Sequence, residues 1–446
     1  MVPQTTPATD DDLAAFDKDV NALFQPGGLT ADAAAARAAT ASPDVQRKVA
    51  EVEASIASAE QAELQRVPVL RASASANKLS SIPDVVLPIG SQTFKISFFT
   101  HAYDAQATLI VPLSDYVFRY PKLVDAAHEA ETVARVGRKS AELDAGQTAR
   151  LAYYEWVRSR LQVLIATRQL AQVQVTLKQE QALADAQRVS KADLMRVESQ
   201  EAEAEQTVDQ LQEIALLREE QLRLYIGARD DEPLALGEDI RTEFAAPPPQ
   251  AGTLDAAVTT ATQQRLDVKV LDAGIVAKTD QLDAERANGY PKLSAVGTID
   301  DARPNQRFFP QVDEFKTTWQ VGLQVTWQLG DTLTAETNRK RELAEADELR
   351  ADRENLIRGT RLQVLQAQQA VTLAQHSLVT TAKGLAAAEE SYRVRRELLA
   401  NERATAVELV DAQTDLTRAR IAALNARVDL RVAVAELSHA MGNDAK

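Results

Sequence analysis

Few side chains in this sequence are spaced to do chemistry. The four histidines, His101, His128, His376 and His439, are scattered, and there is no cysteine. Neighbours in sequence therefore supply neither a His/Cys metal set nor a thiol nucleophile. No phosphate-cradling glycine loop or nucleophile motif is present. The reading is of a protein that is not an enzyme, with no catalytic residue, cofactor or metal, and with its histidines on the surface. Two short polar motifs stand out instead. Ser190 with Asp193, and Thr405 with Glu408, have the S/T-x-x-D/E spacing of a helix cap. In that cap the hydroxyl accepts from a first-turn N–H and the acid reaches back. Capping by itself accounts for Asp193 and Glu408. Glu408 and Asp411 lie three apart, on one helix face. Arg188 and Arg403 stand just ahead of the two caps at matching positions.

The caps belong to a duplication. Ser190-Lys191-Ala192-Asp193-Leu194 is echoed by Thr405-Ala406-Val407-Glu408-Leu409, and each copy runs on to a glycine, Gly227 or Gly442. The sequence predicts an N-terminal segment and first helix over 1–66, a strand pair over 67–114, and a long helix with a hairpin over 115–227. A linker over 228–252 carries Ala246-Pro247-Pro248-Pro249. A helix over 253–290, a strand pair over 291–331, a long helix and hairpin over 332–442 and a tail over 443–446 follow. Ser42-Pro43-Asp44 reads either as a turn or as a cap with proline at the first helical position. The segment holding Pro83, Pro88 and Gly90 reads as a loop.

In the last helix Leu409, Ala412, Leu416, Ala419, Ala423, Ala426, Leu430, Ala433, Leu437 and Ala440 keep a 3-4 spacing, a coiled-coil seam. A second apolar set, Ile421, Leu424, Val428 and Val432, lies off that seam. A helix with two seams can touch a neighbour on each side, as a cylinder of helices requires; an ordinary antiparallel bundle is the plainer alternative.

The strands carry the sharpest pattern. Trp319, Val321, Leu323, Val325 and Trp327 alternate with Gln, Gly and Thr, and no charge interrupts them. Tyr103, Leu109 and Val111 match them in the first pair. A half-buried strand of a soluble sheet reads similarly, but the length suits a bilayer crossing by a strand and the helices offer little else for this face to pack on. These eight residues are expected to face lipid. A sheet in a membrane must close, and four strands are too few for the smallest barrels, which have about 8. Several copies must then share one barrel.

Composition agrees. Over 446 residues only 5% are aromatic, the profile of long helices. A net charge of −15 disfavours nucleic acid as a partner. No run is apolar enough for a membrane-spanning helix. Met1-Val2-Pro3-Gln4 lacks the basic-then-apolar pattern of a secretory signal, so the sequence reads as cytoplasmic or as a form with its signal removed, and the strands favour the second.

On these residues the chain resembles the TolC-like outer-membrane channels, the outer-membrane efflux proteins. The resemblance runs from about residue 30 to Gly442. It is carried by the duplicated order of elements and by Pro68 and Pro291 before the strand pairs. Val325-Thr326-Trp327-Gln328-Leu329-Gly330-Asp331 and Val407-Glu408-Leu409-Val410-Asp411-Ala412-Gln413 carry it further. It implies a mainly α fold with a small β part: a homotrimer whose twelve strands form an outer-membrane barrel and whose helices continue it as a long periplasmic α-helical barrel. It implies a periplasmic adaptor and an inner-membrane transporter as partners, outer-membrane lipid around the barrel, and export through an efflux or type I secretion system. Glu408 and Asp411 would line the periplasmic entrance. Gln187, Arg188, Glu402 and Arg403 would meet the adaptor. The family commonly has glycine in each tip turn. Here the triplets are Ala186-Gln187-Arg188 and Asn401-Glu402-Arg403, so the easy left-handed turn conformation is expected to be lost. A periplasmic adaptor or a coiled-coil scaffold is the competing reading; neither explains two membrane-length strand pairs.

Overall fold

The computed structural model describes residues 18–90, 92–96, 98–242, 253–401 and 403–445. The proline run at 246–249 lies outside them. The fold is mainly α with a small β part. It divides into two compact units, one of Met1–Ala50, Val136–Lys269 and Glu354–Lys446, the other of Glu51–Arg135 and Val270–Arg353.

The second unit holds the strands. β2 (Val69–Lys78), β5 (His101–Val111), β6 (Lys292–Arg303) and β7 (Lys316–Thr326) form a four-stranded sheet in that order. β1 is the short Phe24–Leu29 segment of the other unit. Every neighbouring pair in the sheet is antiparallel, and one row runs Leu70–Leu109–Gly297–Val321 across all four strands. Because side chains alternate with period two, this register gathers Ala72, Ala74, Tyr103, Ala107, Ile299 and the Trp319-to-Val325 row on one face. Trp319 is 71% exposed and Val325 67%. The other face is polar, with Ser73, Gln106, Thr298, Gln320 and Gln324; Thr108 Oγ1 and Thr298 Oγ1 lie 3.4 Å apart on it.

The segment read as a loop around Pro88 is instead a hairpin, β3 (Val85–Ile89) with β4 (Gln92–Ile96). Gly90 supplies the left-handed residue at its turn, with φ +64°. Pro88 is tolerated because in a two-stranded hairpin both strands are edges and one row of N–H groups has no partner to lose. A short helix, α3 (Leu113–Phe118), follows β5. Its Ser114 hydroxyl accepts from the Leu293 N–H of β6 at 3.1 Å.

Two helices are long: α4 (Tyr120–Asp185) and α8 (Leu329–Ala400), about 100 Å and 108 Å at 1.5 Å per residue. α4 starts later than the predicted 115 because α3 occupies its expected start. The capped helices are α5 (Lys191–Ile226) and α9 (Ala406–Ala440). Of the two readings of Ser42-Pro43, the structure shows proline at the first helical position, between α1 (Ala31–Ala41) and α2 (Pro43–Leu64). The helix predicted over 253–290 is likewise interrupted, into α6 (Leu254–Gln264) and α7 (Leu266–Asn288), by the extended Arg265.

The two breaks serve the duplication. Gly227 (φ +62°) closes α5 against the first break, where a Cβ would meet that of Ala41 at 2.6 Å. Gly442 (φ +69°) follows α9 against the second, where a Cβ would stand 3.0 Å from the Arg265 nitrogen. Arg265 then donates to Gln363 at 2.8 Å and to the Ala440 carbonyl at 3.3 Å.

The seams of α9 pack in two directions. Leu430, Ala433, Leu437 and Ala440 meet Val364 and Val371 of α8 and Ala257 and Ala261 of α6. Leu424 and Val428 meet a cluster built on Tyr153, Trp156 and Val157 of α4. Two neighbours on two faces is what the two-seam pattern required.

Candidate functional site: the hairpin tips

The tips are built by the caps and by a small core beneath them. Val173 of α4, Val197 of α5, and Ala406, Val407 and Val410 of α9 bury one another there, with Leu177 alongside. This core fixes α5 against α9. Glu180 of α4 is nearly buried; that burial, and then Asp193, hold its carboxyl above the usual range.

The caps differ. At α9 the box is reciprocal: the Glu408 N–H donates to Thr405 Oγ1 at 3.2 Å and the Thr405 N–H to Glu408 Oε2 at 3.1 Å. At α5 the Asp193 N–H donates to Ser190 Oγ at 3.1 Å, but the Asp193 carboxylate accepts from the Ser190 hydroxyl at 2.7 Å. The expected reach-back is therefore made only in the second copy. Aspartate is one methylene shorter than glutamate and stops at the hydroxyl.

The turns also depart from expectation. Gln187 adopts φ +58°, so the left-handed conformation survives without glycine, at a cost of about 1–2 kcal/mol. The Arg188 N–H reaches back to the Leu183 carbonyl at 2.9 Å, and the Arg403 N–H to that of Leu398 at 2.8 Å. The same helix-closing bond thus forms in both copies. Gln187, Arg188 and Arg403 are exposed at the turns; Glu402 lies outside the described residues.

Glu408 and Asp411 point into separate contacts. Glu408 pairs with Arg395 of α8 at 3.1 Å. Asp411 accepts from Gln200 of α5 at 2.9 Å and meets Arg196 at 3.5 Å. The sequence reading missed Arg196, Gln200 and Arg395. One signal was available: Arg196 and Asp411 are 215 residues apart, the spacing of the two caps, so each occupies the other's place in the duplication with opposite charge.

Residues 257–443 match the family model described as "Outer membrane efflux protein", which spans α6 to α9 and the second strand pair. Over these residues the chain is similar to the outer membrane efflux proteins. The first half repeats the matched elements in the same order. Solved structures share the fold. A CusC structure aligns at TM-score 0.77 and 15% identity, over 94% of this chain and 93% of that one. The Campylobacter jejuni CmeC outer membrane channel aligns at 0.74 and 12%, over 100% and 90%. The Neisseria gonorrhoeae MtrE outer membrane channel, solved in its open state, aligns at 0.74 and 16%, over 92% and 88%. No curated protein matches by sequence. The family and these neighbours are channel proteins. The described residues contain no group of acidic and histidine side chains placed to hold a metal.

Proposed function

We propose that three copies of this chain form one exit duct, with the sheet in the outer membrane, the helices in the periplasm, and the tips facing a periplasmic adaptor of an inner-membrane pump. The observation that carries this reading is the sheet with two open edges and one apolar face. Holding Trp319, Val321, Leu323, Val325 and Trp327 in water costs on the order of 10 kcal/mol at about 2 kcal/mol each. Lipid removes that cost, but lipid cannot solvate the free N–H and C=O groups of β2 and β7. A second copy can. Four alternating strands leave β7 antiparallel to the β2 of a neighbour, so copies join without breaking the pattern. Three copies give the twelve strands that the family resemblance implies. Trp319 and Trp327 stand about 27 Å apart along the strand, the order of the ~25 Å apolar band of a barrel. The Trp327 indole donates to Thr332 at 3.1 Å, as an interfacial tryptophan does.

The helical unit supports the same reading. Ile214, Leu217 and Leu224 of α5, and Leu362 and Leu373 of α8, are exposed. We assign these faces to contact between copies. Glu408 and Asp411 are proposed to ring the entrance, each held by the cations and the amide described above. Gln187, Arg188, Glu402 and Arg403 are proposed to meet the adaptor. An adaptor or scaffold function would leave the apolar sheet face unexplained. The test is extraction and mass: detergent should be needed for solubility, and the unheated complex should have the mass of three chains. A soluble single chain contradicts the reading. In planar bilayers, Glu408→Gln with Asp411→Asn should relieve block by multivalent cations; unchanged block removes the ring.

A further inference from the structure

At the end of the sheet where β2 stops and β7 starts, the surface is apolar in a way the channel does not require. Ile82 and Val86 are 54% and 56% exposed on the β2–β5 connection, and Phe309 is 73% exposed on the β6–β7 connection. Exposed apolar area of this extent marks an interaction surface. A two-stranded hairpin is also marginal when it stands alone. Its only ring contact to the rest of the chain, among the described residues, is Phe94 to Phe309, with centroids 6.0 Å apart. Phe94 shares its face with Leu87; Val86 pairs with Lys95 on the opposite face and so looks away from Phe309 of its own chain.

The charged side chains of both connections have partners within the chain. Lys95 pairs with Asp84 at 2.7 Å. Asp313 meets Arg303 at 2.8 Å and His101 at 2.7 Å. Glu314 pairs with Lys316 at 2.9 Å, and Arg307 donates to Gln320 at 2.8 Å and to the Trp319 carbonyl at 3.0 Å. The large apolar side chains Ile82, Val86 and Phe309 remain outward.

We propose that the β3–β4 hairpin of one copy packs on the β6–β7 connection of the next, forming an apolar collar that seals the seam between copies beyond the barrel. The proposal rests on the closed-barrel reading. β2 runs directly into the hairpin, and the β6–β7 connection runs directly into β7. Wherever the β7 edge of one copy meets the β2 edge of another, these two connections stand side by side. Each Phe309 then lies between the hairpin of its own chain, through Phe94, and the hairpin of its neighbour, through Val86.

The absence of cysteine makes cross-linking clean. The full chain carrying Val86→Cys and Phe309→Cys is treated in detergent with a short bismaleimide and run after heating. Bands of two and three chains, at least tenfold stronger than with either single variant, are expected. If unheated samples still run as the complete complex but heating gives single chains only, the collar is wrong and the barrel reading stands. If no unheated complex forms, both fall. A fluorophore on Val86→Cys should also escape quenching by nitroxide-labelled lipid. Quenching as strong as that of a probe on Leu323→Cys places the hairpin in lipid and overturns the collar.

Discussion

α5 and α9 hold equivalent places in the duplication, yet α9 buries seventeen residues and α5 seven. Part of the difference lies in one stripe, of which Leu424 and Val428 are buried. Where α9 carries Ile421, Leu424, Val428 and Val432, the corresponding residues of α5 are Gln206, Asp209, Glu213 and Leu217. Both helices keep the first seam, with Val197, Ala204, Val208, Ala215 and Leu222 buried in α5. Only α9 keeps the second, so it has packed neighbours on both sides while α5 is left as a flank. A duplicated unit that closes into a cylinder needs both kinds of helix: one to hold a chain together, one to offer a face to the next chain.

The largest test of this contrast puts a charge in each stripe. Val428→Asp buries an unpaired carboxylate and should cost about 4–5 kcal/mol, read as loss of the helical unit in thermal unfolding. The converse change at the equivalent exposed position, Glu213→Val, should stay within about 0.5 kcal/mol. Equal effects would break the comparison.

The helix ends give the next contrast. His439 of α9 bonds Asp144 at 3.4 Å and Asp444 at 2.7 Å. The Asp144 contact, and then that of Asp444, push its pKa up to about 9. The equivalent residue of α5 is Leu224, which is exposed. A raised histidine pKa gives stability that is complete below the unfolded value of about 6.5 and is lost as pH rises through about 9. Roughly 1–2 kcal/mol should disappear over that window, allowing for the exposure of Asp144. His439→Gln should abolish the pH dependence; a retained dependence would assign it elsewhere.

The caps come third. Thr405→Ala removes a reciprocal box and should cost about 1 kcal/mol, and Ser190→Ala about half of that, measured as hydrogen-exchange protection in the first turns of α9 and α5. The smallest effect is at the turn. Gln187→Gly relieves the left-handed strain but adds unfolded-state entropy, for a net gain of about 0.5 kcal/mol in α4–α5 hairpin stability. Destabilisation would mean that the Gln187 side chain holds the tip.

Much of this was legible because it repeats. Period-two alternation in Trp319 to Trp327 pointed to both the strand and its exposed face, and the two apolar sets of α9 pointed to a neighbour on each side, without saying which helices those are. What escaped depends partly on local backbone geometry and partly on neighbours distant in sequence. The β3–β4 hairpin hid behind Pro88, which is a breaker only inside a paired sheet. The break at Arg265 has no proline to announce it and is visible only as the seat of Gly442. Glu408 and Asp411 stand out by spacing, but their separate partners, Arg395 and Arg196 with Gln200, come from two other helices. The left-handed Gln187 ran against propensity; the Arg188 N–H bond to the Leu183 carbonyl closes the helix there without glycine.

In the proposed trimer the flanks α5 and α8 meet across copies. The Arg395–Glu408 pair and the α8–α9 core set the level of α8 against α9, and the duplication carries that level to α5; Ile214 and Leu373 fall at the same height. Ile214→Cys with Leu373→Cys, joined by a short bismaleimide in the detergent-solubilised full chain, should give a three-chain product after heating, with neither single variant doing so. A double variant that yields only single chains, from a complex still holding three, would contradict the account.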